Sequence, residues 1–234
     1  MSTVNLNRRN LAFSLSGVAS ACLLVMGGNS AVQSAPSPQL QNWALGQPSA
    51  RVTLIEYASL TCGHCAAFHR DVLPAIKRRY IDTGLVRFIM RPLPTPPVNL
   101  AVAMHALTLC AGPSRYYPLV DAFFANQNAI FNAARAETGP KATIFKIAND
   151  VGGLNAERAG ACLRDPTRQA QIRASAEAGA AAGVQSTPTL FINGELLTVG
   201  AGQRLNDTAV ITAIEIALRT LPNRRSVGTK AQKR

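Results

Sequence analysis

Apolar and polar positions change their period where one predicted element ends and the next begins. Residues 51–57 form a nearly continuous β-branched and apolar run, which predicts a buried strand of a parallel sheet. From Thr61 to about Thr83 the apolar residues recur with helical spacing, and Pro74 predicts a kink in that helix. Residues 85–90 return to strand character. A strand, helix and strand connected in this way predict parallel pairing of the two strands.

Helical spacing dominates the middle of the chain after a proline-rich link over residues 92–97. The candidate helices are Val98–Cys110, Tyr116–Gln127, Pro140–Val151, Asn155–Leu163 and Pro166–Ala182. Strand character returns at residues 189–192, and Asn193-Gly194 is a hairpin turn signal that leads into a second short strand over residues 196–199. Residues 206–220 are predicted to form a closing helix.

This order predicts an α/β domain interrupted by an inserted α-helical domain. The predicted boundaries are an export signal over residues 1–35, the first part of the α/β domain over 36–97, the helical insertion over 98–183, the second part of the α/β domain over 184–221, and a basic, disordered tail over 222–234.

The first 35 residues have the composition of an export signal. Arg8 and Arg9 precede an apolar stretch over residues 11–28, and a segment of small residues ends near Ala35. An uncleaved inner-membrane anchor over residues 11–28 is the alternative, but its serines and glycines make it weakly hydrophobic for a span of about 20 apolar residues. We therefore expect an exported protein.

The chain is strongly basic as a whole, with a formal net charge of +12, but much of that charge lies near its ends. Five cationic residues stand after Pro222: Arg224, Arg225, Lys230, Lys233 and Arg234. The remainder shows no basic face with interleaved aromatic residues, so no nucleic-acid partner is expected.

The candidate chemistry lies in Cys62-Gly63-His64-Cys65, at the predicted strand-to-helix junction. The first sulfur of such a dithiol lies at the helix N-terminus, where a thiolate is favoured, and a protonated His64 would add positive charge. Cys62 is therefore the expected nucleophile and Cys65 the more buried resolving thiol. A lowered pKa of Cys62 stabilises the reduced form and makes the disulfide an oxidant.

The sequence also allows two other roles for these cysteines, a zinc site and a structural disulfide. Cys62, Cys65 and His69 could bind zinc, although no second metal-binding pair follows at finger-like spacing. A structural disulfide across three residues would remove little chain entropy. His69 and His105 are otherwise expected to be ordinary residues of amphipathic helices. The chain has two further cysteines after the signal, Cys110 and Cys162. Of the three possible ways to pair the four cysteines, Cys62–Cys65 with Cys110–Cys162 is favoured, because Cys62 and Cys65 are only three residues apart.

Residues 54–69 closely resemble the active-site segment of DsbA-like thiol:disulfide oxidoreductases, and residues 183–194 are similar to the proline loop and hairpin of that family. The resemblance covers nearly all of residues 40–221. It implies a thioredoxin fold with an inserted α-helical domain, a periplasmic location and no bound cofactor. Relatives with a second cysteine pair also favour a Cys110–Cys162 disulfide.

The resemblance further implies roles for three residues. Pro188 should follow a cis peptide bond and place Thr187 beside the two sulfurs, where both residues would hold an extended substrate peptide. Glu56, six residues before Cys62, matches a buried acid that could relay protons to Cys65. The alternative for Glu56 is an exposed position at the end of the strand. No lysine stands where some relatives pair this acid with one.

The expected activity is donation of the Cys62–Cys65 disulfide to folding exported proteins, by a monomer that a membrane, quinone-linked partner reoxidises. Gly63-His64 is the dipeptide found in protein disulfide isomerases, whose potential is nearer −180 mV than the −120 mV of DsbA. A disulfide reductase or isomerase is therefore the alternative.

Overall fold

The computed structural model describes residues 42–198 and 206–220, which contain a five-stranded mixed sheet with the strand order β1-β3-β2-β4-β5. The strands are β1 (Ala44–Leu45), β2 (Val52–Ala58), β3 (Val86–Pro92), β4 (Thr189–Ile192) and β5 (Glu195–Leu196). β2 is central, parallel to β3 and antiparallel to β4. The parallel pairing of the first two predicted strands is confirmed, whereas β1 has no counterpart among the predicted strands.

The turn between β4 and β5 has the predicted hairpin geometry. Asn193 and Gly194 have φ angles of 51° and 89°, the left-handed conformations that a tight hairpin turn of this type requires. The Asn193 side chain also accepts a hydrogen bond of 2.8 Å from the backbone N–H of Thr53, which ties the turn to β2. The second strand, at Glu195–Leu196, is shorter and earlier than the predicted residues 196–199.

The helix predicted after the cysteine motif consists of four consecutive segments, which we call the active-site helix. They are α1 (Gly63–Ala67), a π-helical segment (Phe68–Val72), α2 (Leu73–Ile76) and a second π-helical segment (Lys77–Ile81). Pro74 lies in the first turn of α2, directly after the first π-helical segment. Because proline has no N–H, the regular α-helical pattern cannot run through this position, and the expected irregularity takes the form of the π turn.

Six helices lie between β3 and β4, and one more follows the hairpin within residues 206–220. They are α3 (Val98–Ala111), α4 (Tyr116–Ala125), α5 (Gln127–Arg135), α6 (Lys141–Asp150), α7 (Ala156–Arg164), α8 (Pro166–Ala181) and, near the end of the chain, α9 (Asp207–Thr220). The helix predicted to run to Gln127 ends at Ala125, and α5 was not predicted. Its large apolar residues are few, with Ile130 buried and Phe131 partly buried, so its helical spacing is weak.

One continuous hydrophobic core joins the sheet to the inserted helices. Leu54 and Phe88 of the sheet, Leu107 of α3 and Phe123 of α4 are all fully buried in it. α8 lies close to β2: a Cβ atom added at Gly179 would be 3.0 Å from the ring of Tyr57. The insertion is therefore packed as part of the same core, which makes it a rigid support for the strand-to-helix junction.

Two sequence predictions concern parts of the chain outside the described residues: the export signal over residues 1–35, with its alternative anchor at 11–28, and the tail over 222–234. Among residues 42–198 and 206–220, none of the helices combines the length and the apolar character needed to cross a bilayer.

Cys110 and Cys162 form a disulfide between α3 and α7. Their Cα atoms are 6.3 Å apart and the residues are 52 positions apart in the sequence. This separation is within the usual range for a disulfide, and the bond closes a long loop through α4, α5 and α6.

We predict that replacing both Cys110 and Cys162 with alanine lowers the free energy of unfolding by about 4 kcal/mol, because a loop of about 50 residues no longer restricts the unfolded chain. Urea unfolding followed by circular dichroism measures this difference. A loss below about 1 kcal/mol, in a parent protein whose disulfide is verified by mass spectrometry, would contradict the prediction.

Candidate active site

Cys62 occupies the position that precedes α1, where its sulfur faces the free N–H groups of the first helical turn. Its backbone is extended, with φ −87° and ψ 120°, and its Sγ accepts a hydrogen bond of 3.4 Å from the backbone N–H of Cys65. The thiol is partly exposed and lies 3.4 Å from the carbonyl oxygen of Thr187. A nucleophile here is both reachable and stabilised as an anion.

The surroundings of Cys62 lower its pKa to about 5. The largest cause is a hydrogen bond from the Cys65 thiol, and further hydrogen bonds come from the Thr187 side chain and the backbone N–H groups of Cys65 and His64. Partial burial acts in the opposite direction. The sulfur of Cys62 is therefore a thiolate at neutral pH.

Cys65 has the opposite character, although it is only three residues away. It is completely buried, and burial is the main cause that raises its pKa far above the usual value for a thiol. The hydrogen bond with Cys62 and the negative charge of Glu56 raise it further. Cys65 is thus a neutral thiol at any physiological pH, and both cysteines are free in this structure.

Glu56 lies inside the protein, at the middle of the central strand. In the sheet register it stands between Met90 of β3 and Leu190 of β4, and it has no solvent exposure. The alternative position at an exposed strand end is therefore wrong. Its Oε2 atom is 2.9 Å from Nε2 of His69, whereas its Oε1 atom is buried without a hydrogen-bond partner.

The prediction that His69 is an ordinary amphipathic residue is wrong. Its side chain is 3% exposed, and its second ring nitrogen, Nδ1, lies 3.1 Å from Oδ1 of Asp121 on α4. Burial alone would lower the pKa of His69, but the charge of Glu56 and the hydrogen bonds to both carboxylates raise it to about 9. His69 is thus a buried cation, and it is the residue that pairs with Glu56.

The alternative zinc site made of Cys62, Cys65 and His69 is also not formed. Both ring nitrogens of His69 are occupied by carboxylates. Across the described ranges, no three histidine, cysteine or acidic side chains are grouped so that they could hold a metal ion.

Two polar residues from the insertion hold the junction between β2 and α1, and neither was identified as a site residue from the sequence. Nε2 of Gln127, the first residue of α5, donates hydrogen bonds to the carbonyl oxygens of Leu60, at 2.8 Å, and Cys62, at 3.1 Å. Nε2 of His105 accepts one of 3.4 Å from the backbone N–H of Leu60. A histidine within the apolar sequence of α3 was the available signal for this role.

The expectation that His105 is an ordinary amphipathic residue is wrong as well. It is fully buried, and burial lowers its pKa to about 3, so it is neutral at physiological pH. A neutral ring leaves Nε2 free to accept the hydrogen bond from the Leu60 N–H.

The Thr187–Pro188 peptide bond is cis, as the family resemblance implies, and it brings the Thr187 carbonyl to Cys62. A groove of about 710 Å³ runs beside this loop, between the active-site helix and the β4–β5 hairpin. Phe68, Leu196 and Leu197 are among its lining residues. His64 is exposed at its edge, next to Cys62. The groove offers a surface of mixed apolar and polar side chains, next to a backbone carbonyl that lies beside the nucleophile.

Comparison with known proteins agrees with this arrangement. A family model described as thioredoxin matches residues 39–206. The crystal structure of alpha-DsbA1 from Wolbachia pipientis is similar with a TM-score of 0.64 at 24% identity, over 78% of this chain and 93% of that one. The predicted thioredoxin fold with an inserted α-helical domain is therefore confirmed.

Curated relatives are distant in sequence. A putative protein-disulfide oxidoreductase from Rickettsia typhi is 28% identical over 153 residues, which cover 64% of this chain and 54% of that protein. Disulfide bond formation protein D from Bacillus subtilis is 25% identical over 177 residues, or 73% of this chain and 75% of that protein. The chain spans about half the length of the Rickettsia relatives that it matches.

We predict that iodoacetamide alkylates Cys62 of the reduced protein with a half-maximal rate near pH 5, because the reagent reacts with the thiolate. The Cys65→Ala variant should show a higher midpoint, since it loses the largest cause of the lowered pKa. Cys110 and Cys162 are disulfide-bonded and will not contribute. An unchanged midpoint in Cys65→Ala would show that the Cys65 thiol does not lower this pKa.

Gln127→Leu should lower the free energy of unfolding by about 1–3 kcal/mol, because it leaves the buried carbonyl group of Leu60 without its partner. Chemical denaturation measures the loss. The matched control is Asn128→Ala, which changes an exposed neighbour on the same helix and should stay within about 0.5 kcal/mol of the parent. Equal losses in the two variants would mean that the hydrogen bonds of Gln127 do not stabilise the junction.

Proposed function

Because the chain belongs to the thioredoxin family, we propose that it is a thiol:disulfide oxidoreductase that uses Cys62 and Cys65. We propose further that it is exported to the periplasm and donates its disulfide to folding proteins. The observation that carries the proposal is the opposite ionisation of two sulfurs one helical turn apart, with Cys62 anionic and reachable and Cys65 neutral and buried.

The reaction starts from the oxidised protein. A substrate thiolate attacks Sγ of Cys62, the Cys62–Cys65 bond breaks, and Cys65 leaves with the electron pair and takes up one proton. A second substrate thiolate then attacks the substrate sulfur of the mixed disulfide and releases Cys62 as a thiolate. Two substrate thiols are oxidised to one disulfide, and the protein disulfide is reduced by two electrons.

The lowered pKa of Cys62 favours this direction. Each pKa unit below ambient pH stabilises the reduced protein by about 1.4 kcal/mol, which is about 30 mV for a two-electron couple. The disulfide therefore stores a driving force that is released when it passes to a substrate. A quinone-linked membrane partner that removes two electrons would restore it, and this part of the proposal rests on family analogy.

The groove beside Pro188 supports an extended peptide as the substrate. The strand that ends the loop begins at Thr189, so a peptide that pairs with the backbone at Thr187 would lie next to Cys62. Thr187 and Pro188 would hold the peptide backbone, and the mixed apolar and polar lining would accept its side chains without demanding one sequence. Breadth of substrate fits a protein that oxidises many folding chains.

The periplasmic part of the proposal rests on the charged, apolar and small-residue order of residues 1–35. The same-class alternative is a reductase or isomerase, and the dipeptide Gly63-His64 favours it. The two alternatives need opposite resting states of the same cysteine pair, so a redox potential separates them.

Equilibration with glutathione buffers should give a potential between about −180 and −120 mV, because the thiolate of Cys62 stabilises the reduced form. The redox state is read by alkylation and mass spectrometry after acid quenching. A potential near −270 mV, the value of thioredoxin, would overturn the oxidant and favour a reductase. The Cys62→Ser variant should form no mixed disulfide with glutathione at this site.

A further inference from the structure

Three ionisable side chains from three elements lie in a row that leads from the central strand toward the surface. Glu56 of β2 is fully buried, His69 of the active-site helix bonds it through Nε2 at 2.9 Å, and Asp121 of α4 bonds the other ring nitrogen at 3.1 Å. The Asp121 side chain is 63% exposed. One imidazole therefore connects a carboxylate inside the core with a carboxylate at the surface.

The outer end of this row opens to solvent. A groove of about 700 Å³ reaches His69 and Asp121 and is lined by Gly63 and Phe124 among others. It includes none of the loop residues Thr187–Leu190 that line the groove beside Pro188. Water can therefore reach the edge of the imidazole without passing through the place proposed for the substrate peptide.

The inner end of the row acts on Cys65. The charge of Glu56 contributes to the raised pKa of the Cys65 thiol, and Oε1 of Glu56 is buried without a hydrogen-bond partner. A buried thiolate cannot be left in the core at low cost, so the departure of Cys65 from a disulfide needs a proton at that moment. Cys65 has no exposure through which water could deliver it.

We propose that His69, held by Asp121, is the residue through which the Cys65 thiol exchanges its proton with solvent, by way of Glu56. The proposal rests on the proposed thiol:disulfide activity and deepens it. His69 does not touch the reacting sulfurs, so it is a positioning and proton-transfer residue that acts through Glu56.

The proton balance is one proton for each disulfide opened. As Cys65 leaves with the electron pair, the Glu56 carboxylate takes a proton from Nε2 of His69 and passes a proton on to the Cys65 sulfur, so that Glu56 ends as the carboxylate it was. The imidazole is then neutral, with its proton on Nδ1, and a half-turn of the ring brings the bare nitrogen to the Asp121 side, where it takes a proton from solvent. When the protein disulfide re-forms, the proton of Cys65 leaves along the same atoms.

The other ionisable side chains near Glu56, His69 and Asp121 do not take part in the proposed proton transfer. Tyr116 and Tyr117 of α4 are buried. Burial is the main cause that raises the pKa of both, and nearby negative charge adds to it, so both remain neutral. Arg70, next to His69 in the sequence, is exposed and bonded to Asp71. Because the pKa of His69 is about 9, the imidazole can supply a proton throughout the physiological range and loses that ability above it.

The test measures the rate at which glutathione reduces the oxidised protein between pH 6 and 10. Samples are quenched rapidly with acid and read by mass spectrometry. Each rate is divided by the glutathione thiolate concentration, so that the ionisation of glutathione itself does not shape the profile. The wild-type rate should be constant up to about pH 9 and fall above it. His69→Gln keeps a hydrogen-bond donor for Glu56 but has no proton to transfer, so its rate at pH 7 should fall at least tenfold and lose the break near pH 9.

Asp121→Asn removes the carboxylate that helps to keep the imidazole protonated, so its break should move to lower pH. The matched control is Asp82→Asn. Asp82 is an exposed acid that is bonded to Lys77 at the end of the active-site helix, and the pH profile of this variant should match the wild type. Asp121 is exposed, so this variant decides the question even if His69→Gln does not fold.

Two failures can be told apart. A wild-type protein that glutathione does not reduce, or that shows no measurable potential, would overturn the proposed function itself. Normal wild-type reduction with an unchanged profile in Asp121→Asn, and in His69→Gln where that variant folds, would overturn the role of His69 and leave the thiol:disulfide activity in place.

Discussion

The chemistry of this site depends on one change of direction, where the central strand β2 ends and α1 begins. That change puts Cys62 at the free N–H groups of a helix and Cys65 one turn further on, inside the core. Two chemically identical side chains thereby acquire pKa values far apart, because one sulfur gains hydrogen bonds to its anion and the other loses its water. The driving force and the order of attack both follow from this asymmetry.

The inserted helices hold that junction as well as extending the fold. Gln127 of α5 and His105 of α3 bond the backbone of Leu60 from two sides, and Gln127 also bonds the carbonyl of Cys62. The N–H and carbonyl groups of Leu60, which belong to neither the strand nor the helix, are thus paired inside the core, where an unpaired group would cost about 1–3 kcal/mol. The Cys110–Cys162 disulfide joins α3 to α7 and so anchors one of these two supports.

Burying the carboxylate of Glu56 beneath a buried thiol costs desolvation free energy, and pairing with an opposite charge offsets that cost. Glu56 is paired with a cation, His69, which is itself balanced by an exposed carboxylate, Asp121. A lysine could neutralise Glu56 equally well, but an ammonium group is a single point of charge. An imidazole has two nitrogens on opposite sides of a ring, so the same residue can neutralise the acid and face the solvent side.

Most of the helices and strands, and the reacting pair of cysteines, could be predicted from the sequence, whereas β1 and α5 could not. Apolar spacing around Cys62 and Cys65, the Asn193-Gly194 turn and the strand–helix–strand order are local patterns, and each element can be derived from a few adjacent residues. Tertiary packing sets three features that local patterns do not reveal. They are the partner of Glu56, the hydrogen bonds of Gln127 to the junction, and the burial of His69 and His105. The residues in these contacts are 13 to 67 positions apart in the sequence. Helical spacing alone cannot show whether a histidine is exposed or buried, because that depends on how α3, α4 and α5 pack.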